Sequence, residues 1–230
     1  MRKVIELKEV WKIYKIGEVE YPALQGANLD VYLGEFLAIM GPSGSGKSTM
    51  LNSVGALDVP TKGKILLDGQ DIAHLEESDL AQIRGKKIGF VFQAFNLIPS
   101  LSALENVMLP MTFQGISGEK KVARAKKLLD AVKLSHRMEN LPAQLSGGEK
   151  QRVAIARSLS NDPEVILADE PTGNLDSKTG VEIINLLKDL QKKEGKTLIM
   201  VTHDTKIATQ SDRTAHLSDG QIIKISQNKR

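Results

Sequence analysis

The chain has 230 residues, 41% hydrophobic and 26% charged, a composition typical of a globular protein with one large domain or two small lobes. Its 31 lysines and arginines against 28 acidic residues give a net charge of +3, too small to indicate a nucleic acid partner. The absence of cysteine excludes disulfides, thiolate metal sites and a cysteine nucleophile. No apolar run approaches the ~18–20 residues that cross a bilayer, and no signal-peptide core is present. We therefore expect a chain that neither spans a membrane nor is secreted.

The first part of the chain predicts three strands and a helix. Val4–Tyr14 and Leu24–Tyr32 have the pattern of antiparallel strands and are expected at a sheet edge. Phe36–Met40 is continuous in apolar residues, which is typical of a strand buried on both faces. A helix-like stretch, Ser48–Leu57, follows this strand after a glycine-rich segment.

The middle of the chain contains one strand signal and then a mostly helical stretch. Ile88–Phe92 is a second continuous apolar run and predicts another buried strand. Two S-x-x-E patterns, Ser102/Glu105 and Ser146/Glu149, predict helices that begin with capping boxes.

The last part of the chain alternates strand and helix signals. Val165–Ala168 and Leu198–Val201 predict two further buried strands. Between them, apolar residues at helical spacing predict a helix that starts at Ser177 and ends at a glycine cap, Gly195. A closing hairpin over residues 214–225 is expected at the edge of a sheet.

These elements together predict an α/β fold with a mostly parallel sheet, an antiparallel β edge and an inserted helical lobe. We expect a core lobe formed by residues 1–93 and 161–230, and a helical lobe formed by residues 94–160. The whole chain is then a single domain made of two lobes.

The four buried strands end at Gly41, at Gln93, at Asp169 and, after one more residue, at His203. The carboxyl ends of parallel strands meet at the same edge of a sheet, where ligands bind. If all four strands are parallel, these residues line one edge of one sheet.

The segment Gly41-Pro42-Ser43-Gly44-Ser45-Gly46-Lys47-Ser48, followed by Thr49, matches the pattern G-x-x-x-x-G-K-[ST]. Its position between a strand and a helix is the context that this pattern requires. The glycines let successive backbone N–H groups point at phosphate oxygens, and the helix adds the positive end of its dipole. We expect Lys47 to reach the β- and γ-phosphates of a nucleotide and the Ser48 hydroxyl to bind Mg²⁺. The segment predicts a P-loop NTPase core.

Two adjacent carboxylates, Asp169 and Glu170, follow the apolar run Val165–Ala168. In P-loop enzymes a carboxylate at this position holds the Mg²⁺ water shell, and we assign that role to Asp169. Glu170 points another way and is a candidate for activating a water molecule.

Leu145-Ser146-Gly147-Gly148-Glu149 is a helix start whose first-turn N–H groups are left uncovered by two glycines. Such a terminus favours anions. Taken alone, the segment is best interpreted as an ordinary helix start.

Taken together, Gly41–Ser48, Leu145–Glu149 and Val165–Asp176 resemble the ATP-binding subunit of ABC (ATP-binding cassette) transporters. The resemblance extends over essentially the whole chain. It implies an ATPase that uses ATP and Mg²⁺, with the nucleotide bound by Gly41, Ser43, Gly44, Ser45, Gly46, Lys47, Ser48, Thr49, Ser146, Gly147, Gly148 and Glu149.

The resemblance also implies roles for residues outside these segments. Gln93 falls at the family's Q-loop glutamine, a catalytic and Mg²⁺ position, and His203 falls at its switch histidine, which contacts the γ-phosphate. Glu170 becomes the general base, and Tyr14 stacks on adenine. One departure is Glu149, because the family usually has glutamine there; either residue completes the capping box.

The resemblance narrows to the lipoprotein-release and macrolide-export branch (MacB/LolD type), to which the cell-division ATPase FtsE is closely related. The segments that carry this narrower likeness are Phe95–Pro99, Leu104–Val107 and Pro171–Gly180. These segments are common to the whole branch, so they do not distinguish one member from another.

The resemblance also implies a head-to-tail dimer with ATP, which we expect to be a homodimer. The chain is expected to bind a membrane permease near Gln93 and residues 94–109, and to lie in the cytoplasm at the inner face of the membrane through that permease. No nucleic acid partner is expected.

Three alternatives remain at this stage. One is a non-transporting, regulatory ATPase of a membrane complex, like the cell-division relative. Another is a soluble ABC ATPase that acts on DNA or ribosomes, although the long coiled coil or second cassette of such proteins is missing. A P-loop kinase or GTPase is disfavoured, because the sequence has no N-K-x-D motif and gives Leu145–Glu149 no role there.

Overall fold

The computed structural model describes residues 2–228, and within them it contains ten strands and seven helices. The strands are β1 (Lys3–Ile16), β2 (Val19–Tyr32), β3 (Phe36–Met40), β4 (Lys62–Leu67), β5 (Gln70–Asp71), β6 (Ile88–Phe92), β7 (Val165–Asp169), β8 (Thr197–Val201), β9 (Arg213–Ser218) and β10 (Gln221–Gln227). The helices are α1 (Lys47–Val54), α2 (Glu77–Lys87), α3 (Ala103–Phe113), α4 (Gly118–Ala131), α5 (Gly147–Ser158), α6 (Ser177–Glu194) and α7 (Thr205–Ala208). Short 3₁₀ turns lie at Ser135–Arg137 and Pro142–Gln144.

The strands form two sheets. A six-stranded sheet has the order β10-β9-β3-β8-β7-β6, and a four-stranded sheet has the order β2-β1-β4-β5. In the larger sheet, β9, β3, β8, β7 and β6 are mutually parallel and β10 pairs antiparallel with β9. The smaller sheet is antiparallel throughout. The predicted α/β fold with a mostly parallel sheet and an antiparallel part is confirmed.

The first two strands of the chain and the closing hairpin are both expected at sheet edges, and this expectation is wrong for one strand of each pair. β1 lies between β2 and β4, and β9 lies between β3 and β10. Of these four strands, β2 and β10 lie at sheet edges, and β1 and β9 do not. The pairings of β1 with β4 and of β9 with β3 join segments far apart in the chain, so no local pattern records them.

Apolar residues of the central strands alternate between two hydrophobic clusters. Along β7, Val165 and Leu167 face the cluster that includes the antiparallel sheet and α1. Ile166 and Ala168 face the cluster that includes α3, α4, α5 and α6. These four residues are fully buried, which explains why the run has no polar alternation.

Helices α3, α4 and α5 occupy residues 94–160, where the sequence predicts a helical lobe. Their buried residues belong to the same cluster as one face of the parallel sheet. The division of the chain at residues 94 and 160 stays a prediction, because this cluster runs across it.

Local signals place the predicted starts of α3 and α5 and the predicted end of α6 correctly. Ser102 and Ser146 both form the predicted capping boxes, and Gly195 ends α6 with φ 66°. Helix α1 ends at Val54, earlier than the predicted Leu57. None of the helices within residues 2–228 is both long enough and apolar enough to cross a membrane.

Candidate nucleotide site

The glycine-rich segment curls between the end of β3 and the start of α1. Gly44 and Gly46 have φ values of 79° and 98°, a backbone conformation that residues with a side chain rarely adopt. A Cβ on Gly46 would also collide with the backbone oxygen of Ala23 on β2. The loop therefore requires glycine at these positions, and it places the N-terminus of α1 at the carboxyl edge of the parallel sheet.

Lys47 is the first residue of α1 and is almost completely buried. Its ammonium donates hydrogen bonds to the backbone oxygens of Gly41 at 3.0 Å and Pro42 at 2.7 Å. These bonds hold the charge inside the loop, where it faces the space that a phosphate would fill.

Asp169 ends β7 beside the loop, and its carboxylate lies near the Ser48 hydroxyl. Burial raises the pKa of Asp169 above its ordinary value, and the charge of Glu170 raises it further. The Ser48 hydroxyl and the Lys47 ammonium act in the opposite direction. Hydroxyl and carboxylate groups are oxygen donors of the kind that Mg²⁺ prefers, so these two residues fit the ion.

Glu170 is held in an unusual backbone conformation next to His203. Its φ of 42° lies in the left-handed region, at a cost of about 1–3 kcal/mol for a residue with a side chain. Its backbone N–H donates to the Val201 oxygen on β8, and its Oε2 lies 3.2 Å from His203 Nδ1. Strain of this kind is typical of functional sites.

The loop, Glu170 and His203 share one cavity of about 520 Å³. Its lining residues are Tyr21, Ala23, Ser43, Gly44, Gly46, Lys47, Ser48, Thr49, Glu170 and His203. The expectation that the strand ends of β3, β7 and β8 meet at one edge is confirmed by their parallel pairing.

The second anion-favouring terminus lies elsewhere on the chain. The Ser146 hydroxyl accepts from the Glu149 N–H at 3.3 Å, and Glu149 Oε2 accepts from the Ser146 N–H at 2.8 Å. Glu149 also pairs with Arg137 at 3.0 Å. The Ser146 N–H, with help from Arg137, holds the pKa of Glu149 below its ordinary value.

Residues Ser146–Glu149 line a separate cavity of about 460 Å³ together with the start of α6. Within residues 2–228, this cavity and the P-loop cavity have no lining residue in common. One chain therefore does not bring its P-loop and its Leu145–Glu149 segment to the same space.

Comparisons with known proteins establish the family. The family model described as ABC transporter matches residues 24–173, well over half of the chain. The chain belongs to the ABC transporter family. It is an ABC ATPase cassette, which binds and hydrolyses ATP, and the alternative of a P-loop kinase or GTPase is wrong.

Close relatives cover nearly all of this cassette. An uncharacterised ABC transporter ATP-binding protein of Thermotoga maritima is 53% identical over 99% of this chain and 97% of its own length. The macrolide export ATP-binding/permease protein MacB of Syntrophobacter fumaroxidans is 48% identical over 95% of this chain, which spans only 31% of MacB. A dimeric post-hydrolysis structure of the cassette MJ0796 with ADP and Pi has a TM-score of 0.91 at 49% identity, covering 98% of this chain and 99% of that one. The predicted resemblance to the ABC family and its MacB-type branch is confirmed.

Five residues predicted for the P-loop side of the site do not line this cavity: Tyr14, Gly41, Ser45, Gln93 and Asp169. Gly41 and Ser45 belong to the P-loop itself, and Asp169 directly precedes Glu170. Gln93 follows β6 at the expected edge, but its side chain extends over Gly173. Tyr14 lies on β1, and its hydroxyl donates to Asp58 Oδ2 at 2.9 Å. Their roles toward Mg²⁺ and adenine stay predictions.

The structure adds residues that the sequence analysis missed. Tyr21 and Ala23 on β2 line the P-loop cavity, and their spacing of two along a strand is the only sequence signal for them. Gln151 of α5 is fully buried, and its Nε2 donates to the oxygen of Pro171, directly after Glu170, at 2.8 Å. Nothing in the local pattern of α5 indicates that contact.

Proposed function

We propose that two copies of this cassette close head to tail on two ATP molecules and that the closing movement drives a separate membrane permease. The observation that carries the proposal is the separation of the two anion-favouring sites within one chain. In a head-to-tail pair, the P-loop of each copy faces Ser146–Glu149 of the other. The MJ0796 cassette, which is dimeric with ADP and Pi, supports this arrangement.

In the proposed site, the P-loop N–H groups and Lys47 bind the phosphates, and Tyr14 stacks on the adenine. Glu170 lies at the rim of the cavity and accepts a proton from the water that attacks the γ-phosphate. His203, 3.2 Å from the Glu170 carboxylate, orients that carboxylate and contacts the γ-phosphate.

Ser48 and Asp169 would hold Mg²⁺, with Gln93 joining them when its side chain leaves Gly173. The ion would neutralise charge on the β- and γ-phosphates. The proximity of this hydroxyl and this carboxylate supports the assignment.

A groove of about 770 Å³ between α2, β6, α3 and α5 is the proposed permease site. Asn96 and Leu109 of the predicted docking segment both line it. Phe113 at its rim is 80% exposed, as expected for an apolar contact to a partner. The MacB relative, whose name joins ATP-binding and permease parts in one chain, supports a permease over a DNA or ribosome partner. Binding there places the cassette at the inner face of the membrane.

The dimer is tested with Glu170→Gln, which keeps the cavity and removes the base. We expect it to bind ATP, to hydrolyse it roughly 10²- to 10⁴-fold more slowly, and to sediment as a dimer with ATP. Adding Ser146→Arg should abolish the dimer and leave ATP binding by the monomer unchanged, because Ser146 is outside the P-loop cavity.

Ser117→Arg is the matched control, because Ser117 also precedes a helix, α4, but makes no capping hydrogen bond there. It should leave the dimer intact. A Ser146→Arg protein that still forms the ATP-dependent dimer, or near-normal hydrolysis by Glu170→Gln, would refute the proposed function.

A further inference from the structure

The tip of the β1–β2 hairpin carries an exposed apolar face beside the nucleotide site. Tyr14, Ile16, Val19 and Tyr21 are 36%, 74%, 68% and 53% exposed. Tyr14 pairs with Tyr21 across the two strands, and Ile16 pairs with Val19. Directly opposite residues of an antiparallel pair project from the same face, as do residues two apart in one strand. A cluster of exposed apolar side chains of this kind marks a binding surface.

The Tyr21 end of this face opens into the P-loop cavity. Tyr21 lines the cavity together with Ala23, which lies two residues further along β2. The backbone of Ala23 is packed against Gly46, so β2 is fixed beside the phosphate loop. A nucleotide whose phosphates occupy the loop therefore has its sugar and base close to the Tyr21 ring.

The two tyrosines of the face are held differently. The Tyr14 hydroxyl bonds to Asp58, and Lys12 Nζ lies 5.1 Å from the centre of the Tyr14 ring. Lys12 also pairs with Asp58, which fixes this arrangement. By contrast, within residues 2–228 the Tyr21 hydroxyl makes no hydrogen bond, and 53% of this residue is exposed beside the cavity.

We infer that Tyr21 is a second aromatic contact for the nucleobase, beside the fixed ring of Tyr14. This inference rests on the proposed nucleotide site and adds a residue to it. Contact between an aromatic ring and a nucleobase does not distinguish one base from another by hydrogen bonds, because every base has a π-face. Tyr21 therefore contributes similar affinity for adenine and guanine nucleotides.

The test is calorimetric titration of Tyr21→Ala with ADP, GDP and pyrophosphate, which has no base. ADP and GDP should each bind roughly 5-fold or more weakly, the lower end of the effect of removing one base-stacking ring. Pyrophosphate affinity should not change, because the phosphate loop is intact. Tyr21→Phe keeps the ring and should restore ADP binding.

Ile16→Ala is the matched control, because Ile16 lies on the same exposed face and does not line the cavity. It should leave the affinity for ADP, GDP and pyrophosphate unchanged. Unchanged ADP affinity in Tyr21→Ala, or equal losses for ADP and pyrophosphate, would overturn the inference. So would a Tyr21→Ala protein that binds ADP normally but fails to dimerise, since the face would then be a protein contact.

A separate variant tests whether the proposed nucleotide site is correct, independently of Tyr21. Lys47→Ala should weaken ADP and pyrophosphate alike, whatever Tyr21 does. If Lys47→Ala changes neither, the proposed site is wrong; if it weakens both while Tyr21→Ala changes nothing, only the inference about Tyr21 fails.

Discussion

Replacing Gln151 by glutamate tests whether α5 is energetically tied to the segment that carries the proposed base. Gln151 is fully buried, and its Nε2 donates to Pro171 O at 2.8 Å and more weakly to Phe92 O at 3.4 Å. Its Oε1 has no partner among the described residues 2–228. Gln151→Glu keeps the shape of the side chain and replaces the donor by a carboxylate.

The expected cost follows from these contacts. A charged carboxylate cannot donate, so the Pro171 oxygen loses its bond in a buried place, which costs about 1–3 kcal/mol. Burial without a counter-ion also raises the pKa of the new glutamate in the folded state. A carboxyl group whose pKa is raised by folding stabilises the folded state only while it is protonated. Below the pKa of the unfolded state, the variant should therefore approach wild-type stability. It should lose stability as the pH rises through the pKa of the folded state.

The assay is urea unfolding, monitored by circular dichroism, at pH 4, below the ordinary glutamate pKa of about 4.3, and at pH 8. Gln144→Glu is the control, because Gln144 is exposed and its oxygen accepts from the Leu141 N–H, which glutamate also does. That control should stay within about 0.5 kcal/mol of wild type. If Gln151→Glu is as stable as wild type at pH 8, the contact with Pro171 does not hold α5 in place.

Three further predictions concern single contacts. Glu149→Gln should keep the helix start and lose the ion pair with Arg137. The pKa of Glu149 is lowered in the folded state, so its charge stabilises the protein above the ordinary carboxyl pKa of 4.5. In urea unfolding, the wild type should be more stable than Glu149→Gln there, by less than about 1 kcal/mol. The difference should disappear as the pH falls through the folded-state pKa. Gly46→Ala, at φ 98° and against the backbone of Ala23, should reduce ADP affinity by at least about tenfold in calorimetry, and unchanged affinity would contradict the loop geometry. Asn106→Ala should destabilise the protein by roughly 3 kcal/mol, since its amide makes four hydrogen bonds to the loop before α3, and a loss below about 1 kcal/mol would show that water replaces them.

The sequence by itself determines the elements and the chemistry of this cassette. Strands such as Phe36–Met40 are found because burial on both faces requires a continuous apolar run, and that requirement is visible locally. The P-loop is found because its backbone conformation requires glycine at fixed positions. The capping box at Ser146 is found because two side chains three residues apart satisfy each other.

Only the tertiary structure decides what depends on distant pairings. It places β1 and β9 inside sheets, since their second partners lie far along the chain. It brings Tyr21 to the phosphate loop through strand register, and it buries the amide of Gln151 against Pro171. It also puts the P-loop and Ser146–Glu149 in separate cavities, which no spacing in the sequence records. Local patterns report the environment of one residue or one turn, whereas these features depend on which surfaces meet when the hydrophobic clusters form.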